Sequence, residues 1–229
     1  METYLDKITN HLYAFLLWDD SWNAFNNSYL LVEGNEIILI DSGKAEHFHF
    51  LEQALKSIGI NKGEISKFLL THGHKDHIGG ISFLKHLKGY IHQNDIELLP
   101  EEMSERFNSD LSGGNMEYLL LRHHTKGSVA YYDKQHKALF CGDHISFFGE
   151  KLDENKVVDE GNKVREKFKQ FVYDWSQNEE MRKQYDFESF IIGLKEMQQF
   201  DIEYLCTGHG VVLKGNINSY LDELITIES

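Results

Sequence analysis

The sequence has one proline, Pro100, and two cysteines, Cys141 and Cys206, in 229 residues. So little cysteine excludes a disulfide framework, and both thiols read as small buried residues. So little proline leaves punctuation to glycine and asparagine, as in the hairpin turn at Gly34-Asn35. No apolar run approaches the roughly 18 residues that a membrane helix requires. Basic residues are scarce too: 23 Lys and Arg against 37 Asp and Glu give a formal net charge of −14. That balance disfavours nucleic-acid partners, because affinity for a phosphate backbone comes from basic side chains displacing counterions. METYLDKITN lacks the basic start and apolar stretch of a secretory signal, so a cytoplasmic location without a membrane partner is expected.

What is present is 41% hydrophobic residues, enough for one substantial core, and a single domain over 1–229 is expected. HLYAFLLW (11–18), SYLLVEG (28–34) and EIILI (36–40) read as successive strands, so the chain opens with antiparallel sheet. Phe48, Leu51, Ala54, Leu55 and Ile58 recur at helical spacing and predict a helix over 46–58. ISKFLL (65–70) is a strand, and a helix is predicted from about Gly80 to Lys88. Strand GYIHQ and a Gly-Gly loop at 113 and 114 lead to strands MEYLLLR, SVAYYD and KALFCG. Two apolar stripes, Val164, Phe168, Phe171, Val172 and Trp175, then Phe187, Phe190, Ile191, Leu194 and Met197, make a helical pair at about 160–200. IEYLCTG is a last strand, and Asn216 starts a last helix. This order suits two sheets packed together with helices outside.

THGHKDHIGG (71–80) concentrates the chemistry, with His72, His74, Asp76 and His77 in six positions. With 13 His and 15 Asp in the chain, His-x-His-x-Asp-His arises by chance only on the order of 0.003 times per chain. A loop leaving a strand can turn four close side chains inward, and neutral imidazole with carboxylate suits Zn or Fe, shared between two ions. Gly73, Gly79 and Gly80 fit the tight backbone path of such a loop.

THGHKDHIGG resembles the signature loop of the metallo-β-lactamase superfamily. Four further stretches are similar to its other motifs, in order: LIDSG (39–43), HHTKGS (123–128), LFCGDHI (139–145) and TGHG (207–210). The resemblance runs from about residue 11 to the C-terminal helix. It implies an α/β fold, a four-layer αββα sandwich of two mixed β-sheets, with a metal site at one edge of the sheets. It also implies that His72, His74 and His124 bind one ion, Asp76, His77 and His209 another, and that Asp143 spans them. LIDSG places Asp41 behind the ligands as an orienting group. The third motif departs from the family's frequent Thr-Pro-Gly, since the chain reads Leu121-Arg122-His123 there, and the register selects His124. His123, His144, His47 and His49 carry no such support and read as surface or supporting groups.

The function implied is a metallo-hydrolase. Two divalent ions, Zn by default with Fe or Mn as alternatives, hold a shared hydroxide, and Asp76 orients it or passes a proton. Small carbonyl substrates are expected: esters, thioesters or lactones. A nuclease or phosphodiesterase of the same superfamily is the alternative, and a non-catalytic metal-binding sensor is a second. A flavodiiron-type redox module is disfavoured, because that branch usually has glutamate where His74 stands. The aromatic residues at 18–25 and 147–175, like the helical pair, fit either a core or a cover over an apolar substrate, and a homodimer is compatible with all of this.

Overall fold

The computed structural model describes residues 2–110 and 116–227, and the expected Gly-Gly loop at 113 and 114 lies outside the described residues. Strands β1 (Thr3–Lys7), β2 (Leu12–Asp19), β3 (Ala24–Glu33) and β4 (Glu36–Ile40) form an antiparallel meander. Helix α1 (Phe48–Ser57) then crosses to β5 (Lys67–Leu69), parallel to β4. Short β6 (Gly89–Tyr90), helix α2 (Glu101–Ser104) and β7 (Phe107–Asn108) complete this sheet, again in parallel. The second half brings β8 (Met116–Leu120), β9 (Val129–Asp133), β10 (Ala138–Gly142) and β11 (Val158–Asp159). Helices α3 (Asn162–Gln177), α4 (Glu179–Gln184) and α5 (Phe187–Met197) follow, then β12 (Tyr204–Thr207), β13 (Val212–Lys214) and α6 (Ile217–Thr226). Among the described residues the sheet orders are β1-β2-β3-β4-β5-β6-β7 and β11-β13-β12-β10-β9-β8, both mixed.

Side chains alternate across a strand, so a strand buried on both faces feeds two cores. In β2, Leu12, Ala14, Leu16 and Trp18 meet Val129, Tyr131, Phe140 and Cys206 of the other sheet. The intervening Phe15 and Leu17 pack with Phe48, Leu51 and Leu55 of α1. Strand β10 divides likewise, with Ala138 and Phe140 inward and Leu139 and Cys141 facing the layer of α3, α5 and α6. The result is the four-layer αββα sandwich, with both cysteines buried and no described helix long and apolar enough to cross a membrane.

Two local expectations change. The helix expected over 80–88 is only a 3-10 turn at Gly79–Ser82. The Gly80 amide donates to Ser42 Oγ at 2.6 Å and the Gly79 amide to the Gly43 carbonyl at 2.8 Å. A Cβ at either glycine would overlap the Ser42 or Lys44 region, so this stretch is tied to the LIDSG loop instead of continuing as a helix. The helical pair also contains a third, short helix, α4, between its members.

Parallel pairing decides where chemistry can collect. Because β4 and β5 are parallel, as are β10 and β12, their C-terminal ends emerge at one edge. Asp41, His72, Asp143 and His209 lie one to three residues beyond those four ends.

Candidate metal centre

Asp41 follows β4 in a left-handed conformation, φ +54°, which a short polar side chain tolerates. Its carboxylate accepts from the Thr71 amide at 2.9 Å, from Thr71 Oγ1 at 2.7 Å and from His77 Nδ1 at 2.9 Å. The proton on His77 Nδ1 leaves Nε2 facing inward, 3.3 Å from Asp143 Oδ1 and 3.6 Å from Asp76 Oδ2. His209 is oriented the same way by a different acceptor. Its Nδ1 donates to the Phe25 carbonyl at 2.8 Å, and Nε2 lies 3.2 Å from Asp143 Oδ2 and 3.4 Å from Asp76 Oδ2. His124 Nε2 stands 2.7 Å from His74 Nδ1 and 3.4 Å from Asp143 Oδ2, and the His72 ring is 4.8 Å from the rings of both His74 and His124. Two groups result, His72, His74 and His124, then Asp76, His77, Asp143 and His209, with the ligand atoms of each within 4.8 Å of one another. The structure thus brings together all seven proposed ligands and sets Asp41 directly behind them. His47, His49, His123 and His144 fall outside both groups.

The polar atoms fit a cation. His72 Nε2 and Asp76 Oδ2 are buried without a hydrogen-bond partner, at a typical cost of about 1–3 kcal/mol each. A divalent ion satisfies acceptors of this kind, and the N/O donor set suits Zn, Fe or Mn. Charge balance agrees. Burial pushes the Asp143 carboxyl up, but His209 and His77 hold it well below the usual range. Burial pulls His77 down, yet Asp143 and Asp41 raise it well above an ordinary histidine, and His209 rises to about 9 against its own burial because of Asp143. Burial, reinforced by His77, keeps His72 neutral.

A pH dependence follows. His77 and His209 carry protons in the metal-free protein near neutrality, and ligation must displace them. Metal affinity should therefore rise with pH up to about pH 9, where His209 loses its proton, by about tenfold per displaced proton per pH unit. Competition titration against a chelator of known pH dependence measures this, and a flat profile would contradict the protonation assigned here.

One supporting residue carries no sequence signal. Asp95, 1% exposed, accepts from the Gly73 amide at 3.0 Å, Thr125 Oγ1 at 2.6 Å and the Gly127 amide at 2.7 Å. It joins the loop of His72 and His74 to the loop of His124, and a Cβ at Gly127 would overlap its carboxylate. Asp95→Ala leaves these donors unpaired and should lower stability by about 2–4 kcal/mol, read by urea unfolding of the metal-free protein. An unchanged midpoint would mean that the two loops hold without it.

A cavity of about 630 Å³ opens beside His124 and Asp143, between the loop after β10 and helices α3–α5. The aromatic residues divide: Trp18 and Phe25 belong to the core, whereas Phe148, Phe168 and Phe171 line the cavity. Trp22 is 47% exposed and stacks on His209 at 6.1 Å and 12°.

Two mixed sheets between helical layers, with a His/Asp cluster at one sheet edge, define a metallo-β-lactamase fold, and the chain belongs to the metallo-β-lactamase superfamily. The family described as "Anti-Pycsar protein Apyc1" matches residues 19–129. The chain is 29% identical over 123 residues to lactamase-like protein adaB of Aspergillus niger, covering 52% of this chain and 38% of that protein. It is 28% identical over 125 residues to an atrochrysone carboxyl ACP thioesterase of Claviceps purpurea, covering 52% and 39%. It is 29% identical over 130 residues to a hydroxyacylglutathione hydrolase of Aeromonas hydrophila, covering 53% and 48%. Each match spans less than half of the relative's length. Among solved structures, a flavoprotein of Thermotoga maritima superposes with TM-score 0.80 at 16% identity, over 98% of this chain and 61% of that one, a likeness of fold.

Proposed function

We propose that the chain is a dinuclear metal-dependent hydrolase of a small carbonyl substrate, an ester, thioester or lactone. The observation that carries this reading is Asp143, whose Oδ2 lies 3.4 Å from His124 of one group while its Oδ1 lies 3.3 Å from His77 of the other. Two divalent ions held there, Zn by default with Fe or Mn as alternatives, supply Lewis acidity and make water acidic enough to attack near neutral pH.

The remaining steps belong to the chain. Burial pushes Asp76 up, but His209 and His77 beside it lower it overall, so its ionised carboxylate can take the proton of an attacking water. Asp41 and the Phe25 carbonyl fix the rings of His77 and His209, so no side-chain reorganisation is needed at the reacting centre. The cavity beside Asp143, with Phe148, Phe168 and Phe171 in its lining, offers apolar surface to the acyl side. The thioesterase and hydroxyacylglutathione hydrolase among the relatives support carbonyl hydrolysis, and the net charge of −14 supports a small-molecule substrate over a nucleic acid.

The test is a panel of chromogenic esters, thioesters and lactones with the metal-loaded protein. Turnover that disappears on chelation and returns with metal is the expected result. Metal binding without turnover on any of them would sink the hydrolase and favour a sensor, and cleavage of phosphodiesters alone would favour the nuclease branch.

A further inference from the structure

We propose that the cavity beside Asp143 selects an apolar acyl group of about eight to twelve carbons with an uncharged far end. This rests on the hydrolase reading and deepens it to a substrate class. The cavity of about 630 Å³ is bordered by His124 and Asp143, so a group seated in it lies beside the ligand cluster. The loop after β10, helix α3 and the stretch from α4 into α5 supply most of the remaining lining. At about 30 Å³ for each methylene-sized unit, a chain of about ten carbons fills roughly half of the cavity, whereas an acetyl group leaves most of it to water.

Phe148, Phe171 and Tyr185 line the cavity from three different segments, yet they are 49%, 48% and 51% exposed. One half-exposed ring is ordinary, but three that converge on one opening make a surface suited to being covered. Behind them lie buried Trp175 and Phe190, with Trp175 5.9 Å from Phe171, 6.4 Å from Tyr185 and 5.1 Å from Phe190. The aromatic surface is therefore continuous from the rim inward. The polar side chains of the lining already have work. Glu150 pairs with Lys167 and with Lys163 at 3.2 Å. Ser146 Oγ donates to Asp143 at 3.5 Å, and Asp186 accepts from the Ser189 amide at 3.3 Å as the cap of α5. Gln184 is exposed and neutral. Since Lys167 has its counter-ion and Asp186 adds negative charge, a carboxylate at the far end of an acyl chain would lose water and find no free cation in the lining.

The experiment titrates three acids into the metal-loaded protein by calorimetry: butyrate, octanoate, and suberate, which is the octanoate chain with a carboxylate at both ends. Octanoate should bind at least about tenfold tighter than butyrate, since each buried methylene contributes about two- to fourfold. It should also bind at least about tenfold tighter than suberate. Phe171→Glu and Tyr185→Glu put a carboxylate on the exposed rim, and each should cut the octanoate-to-butyrate ratio to about threefold or less. Tyr173→Glu, at a position 50% exposed on α3 but outside the lining, should keep the ratio. Should one rim variant fail to fold, the other reads the same surface. Equal binding of butyrate and octanoate overturns the proposal, and leaves the hydrolase reading intact where short-chain esters are turned over. Suberate binding as tightly as octanoate overturns it too, and would assign Lys167 to a second carboxylate. A preference for octanoate that survives in the folded rim variants puts the chain elsewhere and also overturns it. A preference that the rim variants abolish, without hydrolysis of any ester, supports the cavity and removes the hydrolase.

Discussion

Asp143→Ala should lower kcat/KM on the best ester or thioester by at least about 1,000-fold, roughly 4 kcal/mol of transition-state stabilisation. The magnitude follows from position. Asp143 puts carboxylate oxygens beside histidines of both groups, with His124 Nε2 at 3.4 Å, His77 Nε2 at 3.3 Å and His209 Nε2 at 3.2 Å. Without it, two histidines lose the anion that raises them and the two groups lose their common ligand. Metal content measured by mass spectrometry should fall from about two equivalents to about one or fewer. A folded Asp143→Ala protein that retains both equivalents and most of its turnover would defeat the dinuclear reading.

Asp41 allows a separation of charge from hydrogen bonding. Asparagine tolerates φ +54° and still accepts, so Asp41→Asn removes the charge while keeping part of the network. Metal affinity should fall by about 10–100-fold, the usual cost of losing the acceptor behind a ligating histidine. Asp41→Ala goes further, leaving the Thr71 amide, Thr71 Oγ1 and His77 Nδ1 without their acceptor. Its unfolding free energy should drop by about 3–5 kcal/mol, seen in urea titration. If both variants match wild type in metal affinity, the orientation of His77 comes from packing instead.

The layers were legible in the chain because β2, β4 and β10 are apolar strands bounded by turns and α1, α3, α5 and α6 carry stripes at helical spacing. Strand β1 was not, since TYLDK sits at a sheet edge with an exposed and half-exposed pattern that periodicity reads as loop. The 80–88 stretch misled because Ile81 and Leu84 are apolar at helical spacing, while backbone contacts of Gly79 and Gly80 to the LIDSG loop decided its conformation. The four candidate ligands of THGHKDHIGG could be read from their spacing, and His124, Asp143 and His209 from the resemblance of their motifs to those of the superfamily. Asp95 could not, as its role depends on amides from two loops that lie far apart in sequence.

The parallel pairings of β4 with β5 and β10 with β12 have a mechanical consequence. The first delivers ligands from one sheet and the second from the other, so cations bound between them are rivets across the open rim of the sandwich. Their grip adds directly to the cohesion of the two halves, by an amount that grows with the logarithm of free metal. Scarcity of metal in the surroundings would thus loosen that rim first, while the interior contacts between the sheets stayed closed.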